Sequence, residues 1–508
     1  MPDFLTTAVL IGLGMLILDC VEVGRNDAAN LVNAGFGAGL MDRRKAAMLA
    51  GIAVILGATF SAPVIETARK GIFDPSVLTI QMAVTIYVSV YFVDTVLLYS
   101  FSGFGMPVST TACLVFELVG ASLFLAGPSN VNWPNVGSVA ASIVISILFS
   151  GMAAFMMMRV FRGAMGNHVD DRERILLHGP WIAGAILTWL TWFMVFKGLK
   201  NVEQVQSIKA AFFDQYGEWS ALLLMWSIFT LAIHLLLVFT HKLLCRHLFG
   251  LTAIAGMICM AFAFGQNDLA NAASPGLSAL TLFHGGEAQP DGLASIATKI
   301  PIPVYALFGC GVLMASGMFT NYAQRVTRAE VNTGSQSDDV KLYSPQWCQR
   351  VARFVLRVRR KHPSQTSLPE IPTSETHAHY DTLRASVITG ISASVIALAS
   401  GRGLPVSTTY VAFAAVIGTG MSDRVFARGQ ADTKLGRAIW VVSCWILTPI
   451  IAIVATGLIA QLIHHFSTAG LFLGLALSIS VRLLFKHRAD EHEKNYEPAE
   501  DDPHLSTL

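Results

Sequence analysis

"VGRNDAANLVNAGFGAGL" at residues 23–40 returns as "FGQNDLANAASPGLSAL" at residues 264–280, and both hold Gly-x-Asn-Asp-x-Ala-Asn. A second pair follows each copy: "GMPVSTTACLVFELVGAS" at 105–122 and "GLPVSTTYVAFAAVIGTG" at 403–420. Asn26 and Pro107 stand 81 residues apart and Asn267 and Pro405 138, so the second interval is 57 residues longer, which the polar stretch 325–384 accounts for. One unit is present twice, with a loop inserted in the second copy.

Both copies sit in apolar sequence. Of 508 residues, 53% are hydrophobic and 13% charged, against about 25% charged in soluble domains. Runs near the ~20 residues that cross a hydrocarbon core recur at 5–24, 46–66, 78–101, 135–160, 179–197, 219–240, 250–265, 301–321, 385–400, 438–461 and 467–485. The predicted fold is an all-α polytopic membrane protein of about ten to twelve transmembrane helices. The apolar stretches near 105–127 and 401–420 are too short or interrupted for a simple crossing and read as two re-entrant hairpins. Arg43, Arg44 and Lys45 follow the first motif, whereas "FHGGEAQPDGLAS" after the second carries acids and no base before Lys299. That asymmetry predicts two repeats of inverted topology.

The expected organisation is a first transport repeat at 1–160, connecting transmembrane helices at 161–249, and the start of a second repeat at 250–324. A basic cytoplasmic loop follows at 325–384, the rest of the second repeat at 385–486, and an acidic disordered tail at 487–508. Within the loop, "QWCQRVARFVLRVRRKHP" at 346–363 places Trp347, Val351, Phe354, Val355 and Val358 on one helical face and arginines on the rest. This is either a helix lying on the lipid bilayer's anionic leaflet or a solvated linker; no nucleic-acid partner is expected. "MPDFLTTAVLIGLGM" lacks a basic n-region, so the first helix is read as retained. Seven cysteines without CxxC spacing argue against disulfides or a zinc site and read as small buried residues. His234, in an apolar run, reads as a core residue rather than a proton relay.

An ionised Asp at the bilayer centre costs roughly 2.5 kcal/mol or more, so such residues face an interior path. Asp27 and Asp268 accept only, which suits Na⁺ or a transferable proton, with Asn26 and Asn267 amides and freed backbone carbonyls completing the shell. The second motif offers what an anion needs. Ser109, Thr110, Thr111 and Ser407, Thr408, Thr409 carry hydroxyl donors where Gly and Pro break the chain and a helix begins. Two such N-termini facing each other can enclose a tetrahedral oxyanion. Taken singly, a PVSTT reads as a packing or kink feature; four elements in one order, twice, do not.

These residues resemble the inorganic phosphate transporter (PiT) family of sodium or proton phosphate symporters. The resemblance rests on GRNDAAN and GQNDLAN, on MPVSTT and LPVSTT, on "ETARKGIFD" at 66–74 and on "IWVVSCWILTPIIA" at 439–452. It implies about twelve helices with re-entrant hairpins and phosphate bound with Na⁺ or H⁺ between inverted halves. Carried over by position, Asn26, Asp27, Asn30, Asn267, Asp268 and Asn271 would shape the cation and phosphate site, and the six hydroxyl residues would contact phosphate. No cofactor other than the coupling ion is implied, and a homo-oligomer is compatible. Departures are Ala112 and Tyr410 where the family usually has His, and no acid within 46–65, where it often carries a Glu. Arg25 stands where a small residue is usual. Glu22 and Asp19 precede it at helical spacing and either pair with it or supply the missing acids; alternatively Arg25 adds a positive charge toward the oxyanion, or snorkels to an interface.

The function expected is symport of phosphate with Na⁺ or H⁺ in an inner or plasma membrane, with sulfate or another tetrahedral oxyanion as the alternative cargo. A membrane-embedded lipid-phosphate hydrolase, the different class, lacks a nucleophile or metal motif here. The chain does not read as an enzyme.

Overall fold

The computed structural model of the protein describes residues 3–62, 65, 71–166, 169–199, 202–240, 243–286, 294, 302–337, 340–359, 378–402, 404, 406–427 and 429–496. Among the described residues fifteen α-helices follow in chain order. The first half holds α1 (Phe4–Gly37), α2 (Arg43–Ala58), α3 (Ile80–Gly103), α4 (Thr110–Ala126) and α5 (Trp133–Met165). Then come α6 (Arg172–Thr191), α7 (Glu203–Tyr216) and α8 (Glu218–Phe239). The second half holds α9 (Leu243–Gly286), α10 (Val304–Gly317), α11 (Asn321–Thr333), α12 (Gln346–Arg359), α13 (Thr382–Gly401), α14 (Thr408–Ser422) and α15 (Ala431–Tyr496). Eight of the described helices are long and apolar enough to span a bilayer, and α10 and α11, bent by 67°, can be counted as a ninth span. The chain is a multi-pass integral membrane protein.

The two halves are woven together at glycines. A Cβ on Gly24 of α1 would overlap the Met314 carbonyl of α10, and one on Gly265 of α9 would overlap the Val54 carbonyl of α2. The facing glycines, Gly317 and Gly57, meet the carbonyls of Val21 and Phe262 in return. Each motif helix therefore crosses the second helix of the other half at backbone contact, the close approach that small residues permit in membranes. The pattern repeats one layer on. Gly120 of α4 lies against Ile453 of α15, and Gly418 of α14 against Gly151 of α5. The glycine opening each Asn-Asp motif is thus explained by packing.

Several expectations change. Both Asn-Asp motifs lie inside continuous helices, so the first motif's carbonyls stay in the helical ladder; in the second, Pro275 has no amide to give the Asn271 carbonyl, and the Tyr91 hydroxyl donates to the Ala272 carbonyl and accepts from the Gly276 amide. Residues 325–333 of the expected loop form most of α11, whose Arg325, Thr327 and Glu330 are buried. Its polar face is strongly one-sided, which lets it pack on α1 while carrying charge inward. Helix α5 runs on to Met165 and α9 begins at Leu243, so the repeats extend past 160 and start before 250. The tail is helical to Tyr496 because Asp490 and Glu493 bridge Arg325 at 2.7 and 2.5 Å, and Glu493 also bridges Arg328 at 2.8 Å. His234 lies on an exposed face of α8 rather than in the core. The seven cysteines are free, and all are buried or half-buried. Helix α12 buries Cys348 and Ala352 while Trp347, Val351, Phe354 and Val355 point outward. Residues 66–70 of the ETARKGIFD stretch, Gly403 and Pro405 of the second hairpin motif, 360–377 of the expected loop and 497–508 of the expected tail lie outside the described residues.

Candidate functional site

Each hairpin motif ends one helix and starts another by the same local chemistry. After α3, Gly105 takes a positive φ of 64° and the chain runs extended to Ser109, whose hydroxyl accepts from the Ala112 amide at 3.0 Å. After α13, Ser407 accepts from the Tyr410 amide at 3.1 Å. Both serines are N-caps, and the helices they start, α4 and α14, are the short apolar ones.

The four motifs converge in a buried polar centre, where none of the twelve Asn, Asp, Ser and Thr residues singled out in them is more than 6% exposed. Partners are exchanged between halves. Thr409 of the second hairpin donates to Asp27 Oδ1 of the first motif, and Thr110 of the first hairpin donates to Asp268 Oδ1 of the second motif at 2.9 Å. Asn30 donates to Asp27 Oδ1 at 3.0 Å and to Thr409 at 3.2 Å; Asn271 donates to Asp268 Oδ1 at 2.9 Å and to Thr111 at 2.8 Å. The hairpins also clasp each other. Thr111 donates to the Val406 carbonyl at 3.0 Å, and Thr409 lies 3.2 Å from the Val108 carbonyl.

The first asparagines hold the hairpins of their own halves. Asn26 accepts from the Val108 amide at 3.2 Å and donates to Ser102 at 3.1 Å; Asn267 donates to the Val406 carbonyl at 3.2 Å and accepts from Ser400 at 3.3 Å. Ser102 and Ser400 were not singled out from sequence, though both stand three residues before the hairpin glycine and were legible as a fifth repeated element. Around this centre Asp27 Oδ2, Asp268 Oδ2 and Asn30 Oδ1 are buried with no protein hydrogen-bond partner. Thr408 lies beside Asp268.

Two predicted residues do not join the centre. Arg25 donates to Glu22 Oε2 at 2.5 Å and to Thr320 at 3.1 Å, and its guanidinium lies over the Tyr99 ring at 5.3 Å. Glu22 Oε1 takes Arg482 at 2.5 Å. Glu22 is thus enclosed by two arginines, and of the three roles weighed for Arg25 the geometry matches the pairing with Glu22. Tyr410, which follows the second hairpin motif, stacks on Trp445 at 4.0 Å between centroids, while the Trp445 indole donates to the Pro107 carbonyl at 3.3 Å.

Next to the centre stands a network that sequence reading missed. Asn33 of α1 donates to Glu330 Oε1 at 2.5 Å and accepts from the Tyr380 hydroxyl at 2.6 Å. Arg437 of α15 reaches back to the first hairpin, donating to the Gly105 carbonyl at 2.7 Å. Asn33 extended the motif by one helical turn, but Glu330 lay in sequence that reads as a solvated loop.

The chemistry follows from the valences. Each hydroxyl has one proton, and Thr110, Thr111 and Thr409 direct theirs at carboxylates or carbonyls. An anion here would draw on the first-turn amides of α4 and α14, which lack intrahelical partners. The unpartnered carboxylate oxygens are complementary to a cation or a proton.

The chain resembles known proteins along most of its length. A curated relative in Thermococcus kodakarensis, "Putative phosphate permease TK2061", is 26% identical over 462 residues, covering 90% of this chain and 97% of its own. "Inorganic phosphate transporter 2-1, chloroplastic" of Arabidopsis thaliana is 24% identical, covering 84% of this chain and 67% of its own. A solved structure, "The sodium-dependent phosphate transporter", superposes with a TM-score of 0.65 at 21% identity, covering 91% of this chain and 99% of that one, a likeness of fold. The sequence model described as the phosphate transporter family matches residues 23–331 and 373–456, and the chain belongs to that family.

Proposed function

We propose that the chain is a secondary active symporter that moves inorganic phosphate together with Na⁺ or H⁺ by alternating access. One observation carries the reading: the carboxylate of each half is hydrogen-bonded by the hairpin of the other half and keeps its Oδ2 without a protein partner. A cation or proton on those oxygens offsets repulsion between the carboxylates and a tetrahedral anion held at the two helix N-termini. Because the bonds cross between halves, a movement of one half against the other remakes both carboxylate environments together, which couples occupancy to conformation. The sodium dependence stated in the structural neighbour's name supports Na⁺ as one coupling ion.

Phosphate is favoured over sulfate by donor count. Monobasic and dibasic phosphate carry a hydroxyl that can donate to a carboxylate; sulfate carries none at neutral pH, and buried acceptors left unpaired discriminate strongly. Labelled uptake into proteoliposomes under imposed Na⁺ or H⁺ gradients tests the reading. Wild-type protein should accumulate phosphate in preference to sulfate, and Asp27→Asn or Asp268→Asn should lose gradient-driven accumulation. Sulfate uptake exceeding that of phosphate overturns the cargo; uptake indifferent to both gradients overturns the symport.

A further inference from the structure

The two halves differ in one respect that the phosphate centre does not use. In the first half Asp19 of α1, Asp94 of α3 and Glu117 of α4 are 1%, 4% and 0% exposed. The positions equivalent by motif register in the second half are Met260, Ser392 and Ala415. Besides Glu22, which stands opposite Ala263 and is paired with two arginines, the first half therefore carries three buried acids that the duplication alone does not require.

The carboxyls of Asp19 and Asp94 face each other at hydrogen-bonding reach, and Glu117 lies within electrostatic reach of this pair, with Asp94 its strongest charged neighbour. Both oxygens of Glu117 and both of Asp19 are buried without a protein hydrogen-bond partner by distance and angle, as is Asp94 Oδ1. Facing them from the surrounding elements are Tyr91 of α3, Cys20 and Glu22 of α1, Cys310 of α10, Cys113 of α4 and Arg482 of α15. Arg482 is the nearest cation, but its guanidinium bridges Glu22. With Glu22 shared between Arg25 and Arg482, one positive charge is left against three carboxylates, so ionising all three would leave buried charge uncompensated, a state that is not tolerated. The group must take up positive charge from outside the protein.

Placement connects it to transport. Asp19 precedes Asn26 by seven residues, Asp94 precedes Ser102 by eight and Glu117 follows Ser109 by eight. At about 1.5 Å per residue the acids lie about 10–12 Å from the phosphate centre along the three helices that build its first half. Cys113 lies within the electrostatic reach of Asp94, Glu117, Asp19 and Asp27, and Asp94 itself lies within reach of Asp27. Asp19 and Asp94 lie within hydrogen-bonding reach of each other, and two buried carboxyls so placed hold one proton between them.

We propose that Asp19, Asp94 and Glu117 form a proton-binding site, separate from Asp27 and Asp268, that couples phosphate movement to a proton gradient. A proton enters from the acidic side, forms an O–H bond with one carboxylate oxygen, and leaves from it to water on the other side; no electrons are exchanged. The proposal rests on the reading of the chain as a phosphate symporter.

The test uses the full chain in proteoliposomes and two readouts. Exchange of labelled phosphate at equal pH reports binding and turnover of the phosphate centre alone. Accumulation under an inward acid gradient reports proton coupling, about tenfold per proton for a gradient of about one pH unit. Asp94→Asn and Glu117→Gln should keep exchange within about twofold of wild type and lose the acid-driven accumulation. Should these not fold, Asp94→Ser and Glu117→Ala install the residues that the second half already accommodates. Variants that still accumulate phosphate with the acid gradient overturn the proposal, as does wild-type protein that exchanges phosphate yet accumulates it with Na⁺ alone. Absence of exchange in wild-type protein overturns instead the phosphate reading on which it rests.

Discussion

Replacing Glu22 by Gln tests whether Arg25 is structural. The Glu22 side chain is fully buried and touches Arg25 and Arg482 at 2.5 Å each, with those arginines only 13% and 17% exposed. A hydrogen bond to a charged group contributes about 1.5–3 kcal/mol, and removing one partner of a buried ionic set costs about 3–5 kcal/mol because the others stay behind uncompensated. Gln keeps one acceptor and the volume, so Glu22→Gln should cost about 3 kcal/mol. Arg25→Ala leaves Glu22 its bridge to Arg482 and should cost about 1.5–3 kcal/mol. Per kcal/mol, Tm falls by about 2–4 °C in domains of 150–250 residues and by less in longer chains, so Glu22→Gln should lower Tm by about 5 °C in detergent. Phosphate affinity of Arg25→Ala, measured by isothermal titration, should stay within about twofold of wild type. Unchanged Tm in Arg25→Ala together with a tenfold weaker phosphate Kd would refute the assignment and make Arg25 an anion ligand.

Other consequences are direct. Gly24→Val or Gly265→Val puts a Cβ into the carbonyl of Met314 or Val54; each should sharply reduce folded protein recovered by size exclusion, whereas Gly14→Val, with open space around it, should not. Asn271→Ala removes donors from Asp268 and Thr111 and should weaken phosphate binding about as much as Asn30→Ala does, since Asn30 serves Asp27 and Thr409 in the same way; a tenfold difference between them would break the two-fold logic. Arg437→Ala releases the Gly105 carbonyl and should lower Tm by a few degrees, for a loss of about 1.5–3 kcal/mol. Asp381 caps α13 outside its span; burial pushes its carboxyl up, but the Arg162 guanidinium outweighs burial and holds it below the ordinary value. Its stabilisation is therefore complete above about pH 4 and is lost as pH falls further, so acid unfolding of Arg162→Met should begin at higher pH than that of wild type.

Most of the fold was legible because hydropathy and repetition are properties of contiguous sequence. The long apolar runs, the duplicated motifs and the caps at Ser109 and Ser407 each declare themselves within about twenty residues. What was not legible needed the partner. Nothing local says that Thr409 serves Asp27 rather than Asp268, because that choice is made by which helices cross, and the crossing is set by Gly24 against α10 and Gly265 against α2. Glu330 was hidden for a different reason: Arg325, Arg328 and the polar sequence beyond α11 lower the average hydropathy, while the charges are neutralised by Asp490 and Glu493 more than 150 residues away.

Of the three acids of the first half, Asp19 drew notice only as a neighbour of Arg25, and Asp94 and Glu117 were hidden by the opposite effect. Asp19, Asp94 and Glu117 each stand in a run so apolar that one carboxyl barely alters its average, and none is a residue that the two copies share. Comparing the two copies position by position would have exposed them, since Met260, Ser392 and Ala415 stand opposite. A duplicated transporter presents its shared chemistry as what the halves have in common. Any chemistry confined to one half is carried by the differences, and Asp19, Asp94 and Glu117 stand on the helices that already position Asn26, Ser102 and Ser109 in the buried polar centre. If protons bind in that half only, neutralising Asp94 should change the driving force for phosphate while leaving its binding intact, whereas neutralising Asp27 should change both.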